Sequence, residues 1–155
     1  MQQPPQLDPR KALLESVDAI LRTASDRDGV LSAVVQSIHE SSDRHDWTGL
    51  YLVEGDELVL HNHVGGPTPH VRIRVGEGIC GAAAAEGRTL VVPDVGADER
   101  YLACRPQTRS EIVVPIRKLG YVFGEIDVDS DSPDAFDEED RRILEAVAER
   151  LATLF

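Results

Sequence analysis

An α+β fold is predicted by three features of the sequence. Apolar residues recur at helical spacing near both ends, they alternate with polar ones through the middle, and Gly and Pro signals cut that middle into short segments. Asp8-Pro9 reads as a helix start, a side-chain cap followed by a residue whose fixed φ suits the first helical position. Leu13, Leu14, Val17, Ile20 and Leu21 then form one apolar stripe. A second helix follows Asp26 to Asp28, carried by Val30, Leu31, Val34, Val35 and Ile38, and Ser41 to Asp46 is a polar connection.

From Trp47 the period falls to two. Strands are expected at Trp47 to Val53, Leu58 to Val64, Val71 to Val75, Thr89 to Val92, Glu111 to Ile116 and Tyr121 to Asp129. Glu54-Gly55-Asp56 and Gly65-Gly66-Pro67 are turn signals between the first of them. Inside the strand region, Gly78-Ile79-Cys80-Gly81 and the four alanines after it read as a tight turn leading into a short helix. A last helix, capped by Asp137, carries Ile143, Leu144, Val147 and Leu151 on its buried side. The mostly antiparallel sheet thus lies between terminal helices. Residues 9–155 are expected to form one domain behind a flexible, proline-rich N-terminus at residues 1–8.

Charge and cysteine content narrow the function classes. A formal net charge of −12 disfavours nucleic acid and anionic membranes, which are bound mainly by clustered Lys and Arg. No run approaches the roughly 20 apolar residues of a membrane span, and the N-terminus lacks a secretory layout, so a cytoplasmic location is expected. Two cysteines are too few for a disulfide scaffold and read as thiols in a reducing compartment.

Several residues are candidates for chemistry. Asp127 and Asp129 stand two apart on a strand and share a face, which is either the solvent face or the lining of a concave site. Forced together in such a site, one of the pair would have its pKa raised and become a proton donor. Glu111 begins the apolar strand Ile-Val-Val-Pro-Ile, where a desolvated carboxylate needs a cation, either an Arg or a ligand amine. His61 and His63 alternate onto one strand face with His70 soon after, but a surface or pocket pair is favoured over a metal site. Asp127 to Asp131 with Glu138 has the spacing of a calcium loop. Ser132 stands where that loop requires glycine, and a strand precedes it. No metal or other cofactor is expected.

Four segments, Val75-Gly-Glu-Gly-Ile-Cys-Gly81, Val92-Pro-Asp-Val95, Arg109-Ser-Glu-Ile-Val-Val-Pro115 and Gly124-Glu-Ile-Asp-Val-Asp-Ser130, run in an order that resembles the GAF domain family. The resemblance implies a central antiparallel sheet of about six strands, with the N- and C-terminal helices on one face and a ligand pocket on the other. Trp47-Thr-Gly-Leu-Tyr51, the Gly-Ile-Cys-Gly cysteine, Leu102-Ala-Cys-Arg105, Glu111 and the Asp127-Val-Asp-Ser turn are most similar to the branch that reduces free methionine-(R)-sulfoxide. That branch implies substrate binding by Trp47, Glu111, Asp127 and Asp129, and redox thiols at Cys104, the nucleophile, and Cys80, the resolver. It also implies recycling by a dithiol such as thioredoxin.

A sulfoxide reductase needs a thiolate to attack sulfur while an acid protonates the oxygen, leaving a sulfenic acid that a second thiol resolves. One departure from the branch is His70, which stands where a third, resolving cysteine is usual. The alternative is a sensory GAF domain that binds a small metabolite and signals by homodimerisation of its terminal helices.

Overall fold

Capping residues set the helix ends. In the computed structural model, which describes residues 2–5, 8–103 and 105–155, α1 (Pro9–Thr23) starts at Asp8, whose side chain accepts from the Arg10 N–H. α2 (Arg27–Glu40) starts at Asp26, which accepts from Gly29 N–H. α4 (Glu138–Ala152) opens with a reciprocal capping box between Asp137 and Asp140. The apolar stripes of all three helices are buried, with Val17, Leu31, Val34, Val35, Ile38, Val147 and Leu151 wholly inaccessible to solvent.

The six strands are β1 (Trp47–Glu54), β2 (Glu57–Val64), β3 (Arg72–Arg74), β4 (Leu90–Val92), β5 (Ser110–Lys118) and β6 (Tyr121–Ser130). They form one antiparallel sheet in the order β3-β2-β1-β6-β5-β4. β3 is shorter at both ends than its apolar pattern predicts. Gly55 takes a positive φ at the first position of the two-residue β1–β2 loop, as a tight hairpin requires.

Alternation divides the sheet residues between two layers. Leu50, Ile112, Val114, Ile116, Ile126 and Val128 face α1, α2 and α4 and build the main core with them. Trp47, Tyr51, Leu58, Ile73, Leu90, Val92 and Val113 face the other way and pack with α3 (Gly78–Glu86) in a second core. The alanines of α3 permit this approach: Ala83 is fully buried, and a Cβ on Gly81 would sit 2.6 Å from the Arg74 carbonyl oxygen. Gly87 closes α3 in the left-handed conformation. The helix begins at Gly78, so Cys80 lies within its first turn and not on a turn before it. A single 3-10 turn, Val95–Ala97, follows β4 where no element was expected.

Among the described residues no helix is long and apolar enough to cross a membrane. The stripes of α1 and α4 that a sensory dimer would use, Leu13 and Val17 with Ile143, Leu144, Val147 and Leu151, are already buried within the one chain.

Candidate functional site

Strand register assembles the site on the sheet face opposite the main helix layer. Asp127 is paired with Gly49 on β1 and Val113 on β5, while Asp129 is paired with Trp47 and with Glu111. Glu125, one pleat further along β6, is paired with Tyr51 and Pro115. Four carboxylates therefore share one face. Their exposures are 4% for Glu111, 0% for Glu125, 2% for Asp127 and 1% for Asp129, which rules out the solvent-face reading of the two aspartates. The calcium-loop spacing is likewise not realised, because Asp127 and Asp129 lie inside β6 and Asp131 pairs with Arg105 at 2.9 Å.

Burial dominates the electrostatics of this face. Desolvation, reinforced by charged neighbours, holds the carboxyls of Glu111, Glu125 and Asp129 well above the usual carboxylate range. Asp127 is raised by burial too, though bonds from Glu111, Cys80 and Asp129 oppose the shift. Glu111 is paired directly with Asp129 and lies one pleat from Asp127, and like charges this close oppose ionisation of all three at once. Among the described residues no Lys or Arg forms an ion pair with any of the four. Among the described residues no N–H or hydroxyl donor reaches Oδ1 of Asp127, Oδ1 of Asp129 or either oxygen of Glu125. A buried carboxylate cluster of this kind costs stability until a cation or a proton answers it.

Cys80 stands over these acids. Its thiol donates to Asp127 Oδ2 at 3.3 Å, and burial together with the surrounding acids pushes it well above its ordinary pKa. The thiol is thus protonated at neutral pH in the ligand-free protein. Cys104 lies outside the described residues, although its neighbours Ala103 and Arg105 do not.

Trp47 walls one side of the site. Its indole lies across Gly49, where a Cβ would fall 2.2 Å from the ring, and it stacks on His63 at 5.5 Å between centroids. The indole N–H donates to the Gly66 carbonyl at 3.0 Å, which fixes the ring. Only glycine at position 49 leaves this place for the indole.

His61 and His63 do not share a face as alternation predicts. Leu50 pairs with Asn62 and Tyr51 with Leu60, so His61 is the extra residue of a β-bulge. His61 turns to the helix layer, where its Nε2 meets Asp28 of α2 at 2.8 Å, while His63 stays with Trp47.

A narrow cleft of about 10 Å³, room for about one water, reaches the acids between α3 and the loops, lined by Tyr51, His70, Ile73, Glu77, Gly78, Ile79, Cys80, Leu102, Glu111 and Asp127. Leu102 seals it by packing against Gly78, where a Cβ would lie 2.8 Å from the leucine side chain. His70 ties two roof segments together. Its backbone carbonyl accepts from the Tyr51 hydroxyl at 2.9 Å, and its Nε2 donates to the Ala103 carbonyl at 3.2 Å.

The structure therefore brings Cys80, Glu111, Asp127 and His70 into the lining of one cleft and sets Trp47 and Asp129 on the same sheet face beside them. Sequence reasoning missed Glu125 and Tyr51 as site residues. Glu125 was legible by parity, since residues 125, 127 and 129 of one strand share a face.

The sequence pattern of the GAF domain family matches residues 15–154. GAF domain-containing protein A of Dictyostelium discoideum is 34% identical over 139 residues, covering 90% of this chain and 87% of that protein. A type II free methionine-R-sulfoxide reductase from Thermoplasma acidophilum superposes with a TM-score of 0.80 at 40% identity, over 83% of this chain and 91% of that one. The free methionine-R-sulfoxide reductase of Neisseria meningitidis, solved with its substrate, superposes with a TM-score of 0.87 at 34% identity. That match covers 100% of this chain and 95% of the other.

Proposed function

The chain belongs to the GAF domain family, and we propose that it is an oxidoreductase that reduces free L-methionine-(R)-sulfoxide to methionine. One observation carries this reading: four buried carboxylates share one sheet face with a tryptophan, two of them, Glu111 and Asp127, line a cleft with the Cys80 thiol, and among the described residues no Lys or Arg is ion-paired with any of the four. A ligand with an ammonium group supplies the missing charge, and an indole wall suits a methyl-sulfur end. The 34–40% identity to two reductases of free methionine-R-sulfoxide supports the same substrate class.

In the proposed reaction Glu111, Asp127 and Asp129 receive the ammonium group, and Trp47 packs on the methyl end. A carboxyl on this face, whose pKa burial raises above the usual carboxylate range, donates its proton to the sulfoxide oxygen. The Cys104 thiolate adds to the sulfur as that proton arrives. Collapse of the adduct leaves a sulfenic acid on Cys104 and frees methionine. The Cys80 thiol then displaces water from the sulfenic acid, giving a disulfide, which a dithiol such as thioredoxin reduces. Cys80 needs a base for this step, and Asp127, already its hydrogen-bond acceptor, is in place to take the proton. His70 stands at the position of the absent third thiol and holds the roof by its bond to Ala103.

The test is methionine formation from the separate R and S epimers of free methionine sulfoxide with a dithiol. Turnover of the R epimer alone is expected, abolished by Cys104→Ser, with Cys80→Ser blocking mainly the thioredoxin-dependent cycle. Turnover of neither epimer sinks the reading, and activity surviving Cys104→Ser reassigns the nucleophile.

A further inference from the structure

The acidic face offers more acceptor oxygens than one ammonium group engages. Cys80 Sγ and one carboxylate oxygen each from Glu111 and Asp127 lie within 4.8 Å of one another, and all three residues are buried. Cys80 Sγ and Asp127 Oδ2 are 3.3 Å apart. That is near the ~3.5 Å between sulfur and oxygen ligands around a tetrahedral zinc ion with bonds of about 2.3 and 2.0 Å. A second observation is independent of this spacing. The other Asp127 oxygen has no N–H or hydroxyl donor among the described residues, and neither has Glu125, which is fully buried beside the Cys80 thiol.

We propose that Cys80, Glu111 and Asp127 form a site for one thiophilic divalent cation of the zinc type. A thiolate among carboxylates selects a borderline-soft cation over magnesium or calcium, which take oxygen ligands alone. Three protein ligands leave a fourth tetrahedral position for water. On binding, the sulfur–hydrogen bond of Cys80 is replaced by a sulfur–metal bond and its proton passes to solvent, with no change in oxidation state. The cation occupies the place that the reductase reading gives to the ligand's ammonium group and ties up the Cys80 sulfur. It is therefore a competitive inhibitor of the reaction. That consequence rests on the reductase reading, whereas the metal site does not.

Cobalt(II) titration of the reduced full-length protein tests the site. A thiolate-to-cobalt charge-transfer band is expected to saturate at one equivalent and to bleach when zinc is added. It is retained in Cys104→Ser, lost in Cys80→Ser, and needs at least tenfold more cobalt in Asp127→Asn. X-ray absorption of the zinc-loaded wild-type protein frees the test from the folding of any variant: one sulfur at about 2.3 Å with oxygens at about 2.0 Å is expected. No saturable band, a band that survives Cys80→Ser, one lost with Cys104→Ser, or a shell without sulfur each overturns the site. Zinc added to the methionine sulfoxide assay then separates the two ideas. Methionine formation unaffected by saturating zinc refutes the competition, while a normal cobalt band in a protein that never reduces the substrate refutes only the reductase reading.

Discussion

Replacing Glu125 with glutamine is expected to stabilise the ligand-free protein, and to do so more as pH rises. In the folded chain this carboxyl is fully buried with no N–H or hydroxyl donor among the described residues, and its pKa is raised well above the usual range, first by desolvation and then by Asp127, with the Cys80 thiol opposing. In the unfolded chain it ionises near the ordinary glutamate value of about 4.3. Below that pH both states hold the proton and the group leaves stability intact. Above it the unfolded state sheds the proton first, so wild-type stability falls by about 1.4 kcal/mol per pH unit from this one group until the folded carboxyl also ionises.

Glu125→Gln lacks that loss. Between pH 5 and pH 7 the gap between variant and wild type therefore opens by up to about 2.7 kcal/mol. For a chain of this size that corresponds to roughly 5–10 °C in Tm. Urea or thermal unfolding followed by the fluorescence of Trp47, the only tryptophan, measures it under reducing conditions. Parallel pH profiles for the two proteins would refute the assignment of Glu125 as a buried, proton-holding carboxyl.

Other outcomes follow from the same coordinates. Gly49→Ala forces the indole off its seat, where the new Cβ would meet the ring at 2.2 Å. A red-shifted tryptophan emission and a loss on the order of 1–3 kcal/mol are expected, and unchanged emission would contradict the packing. Leu119 occupies the β5–β6 turn at φ 53° with its side chain 89% exposed. Because an L side chain is strained in that conformation and asparagine tolerates it, Leu119→Asn should gain about 1 kcal/mol in chemical denaturation. Asp137→Ala removes the half of the α4 capping box in which the Asp137 side chain accepts from the Asp140 N–H, and should cost about 1 kcal/mol, read as a drop of roughly 2–4 °C in Tm. In the reductase assay Glu111→Gln should raise KM roughly tenfold to a hundredfold, the value of a charge-assisted hydrogen bond to an ammonium group. A change in kcat alone would argue instead that Glu111 is the proton donor.

Helix starts at Asp8, Asp26 and Asp137, six strands in their right places and the parity of Asp127 with Asp129 were all legible in the sequence. Each depends on neighbours within a few residues, through capping, turn chemistry and the two-residue repeat of a strand. The same parity extends to Glu125, which the sequence reading passed over, but it could not say that this face is roofed. Roofing requires α3 and the loop at Leu102 to fold over the sheet, so the difference between a solvated acid and one raised by desolvation exists only in the tertiary structure.

Register was equally beyond reach. The bulge at His61 reverses the alternation, sending that histidine to Asp28 and leaving His63 on Trp47, because pairing with β1 decides which residue is extra. Sequence alone determined that this chain holds two thiols and an alternating run of acids; only the fold decided that Cys80 meets Asp127 and that the acids lie in the dark of the cleft. The physical reason is that local patterns set the direction of a side chain, while burial and charge depend on what the rest of the chain lays across it.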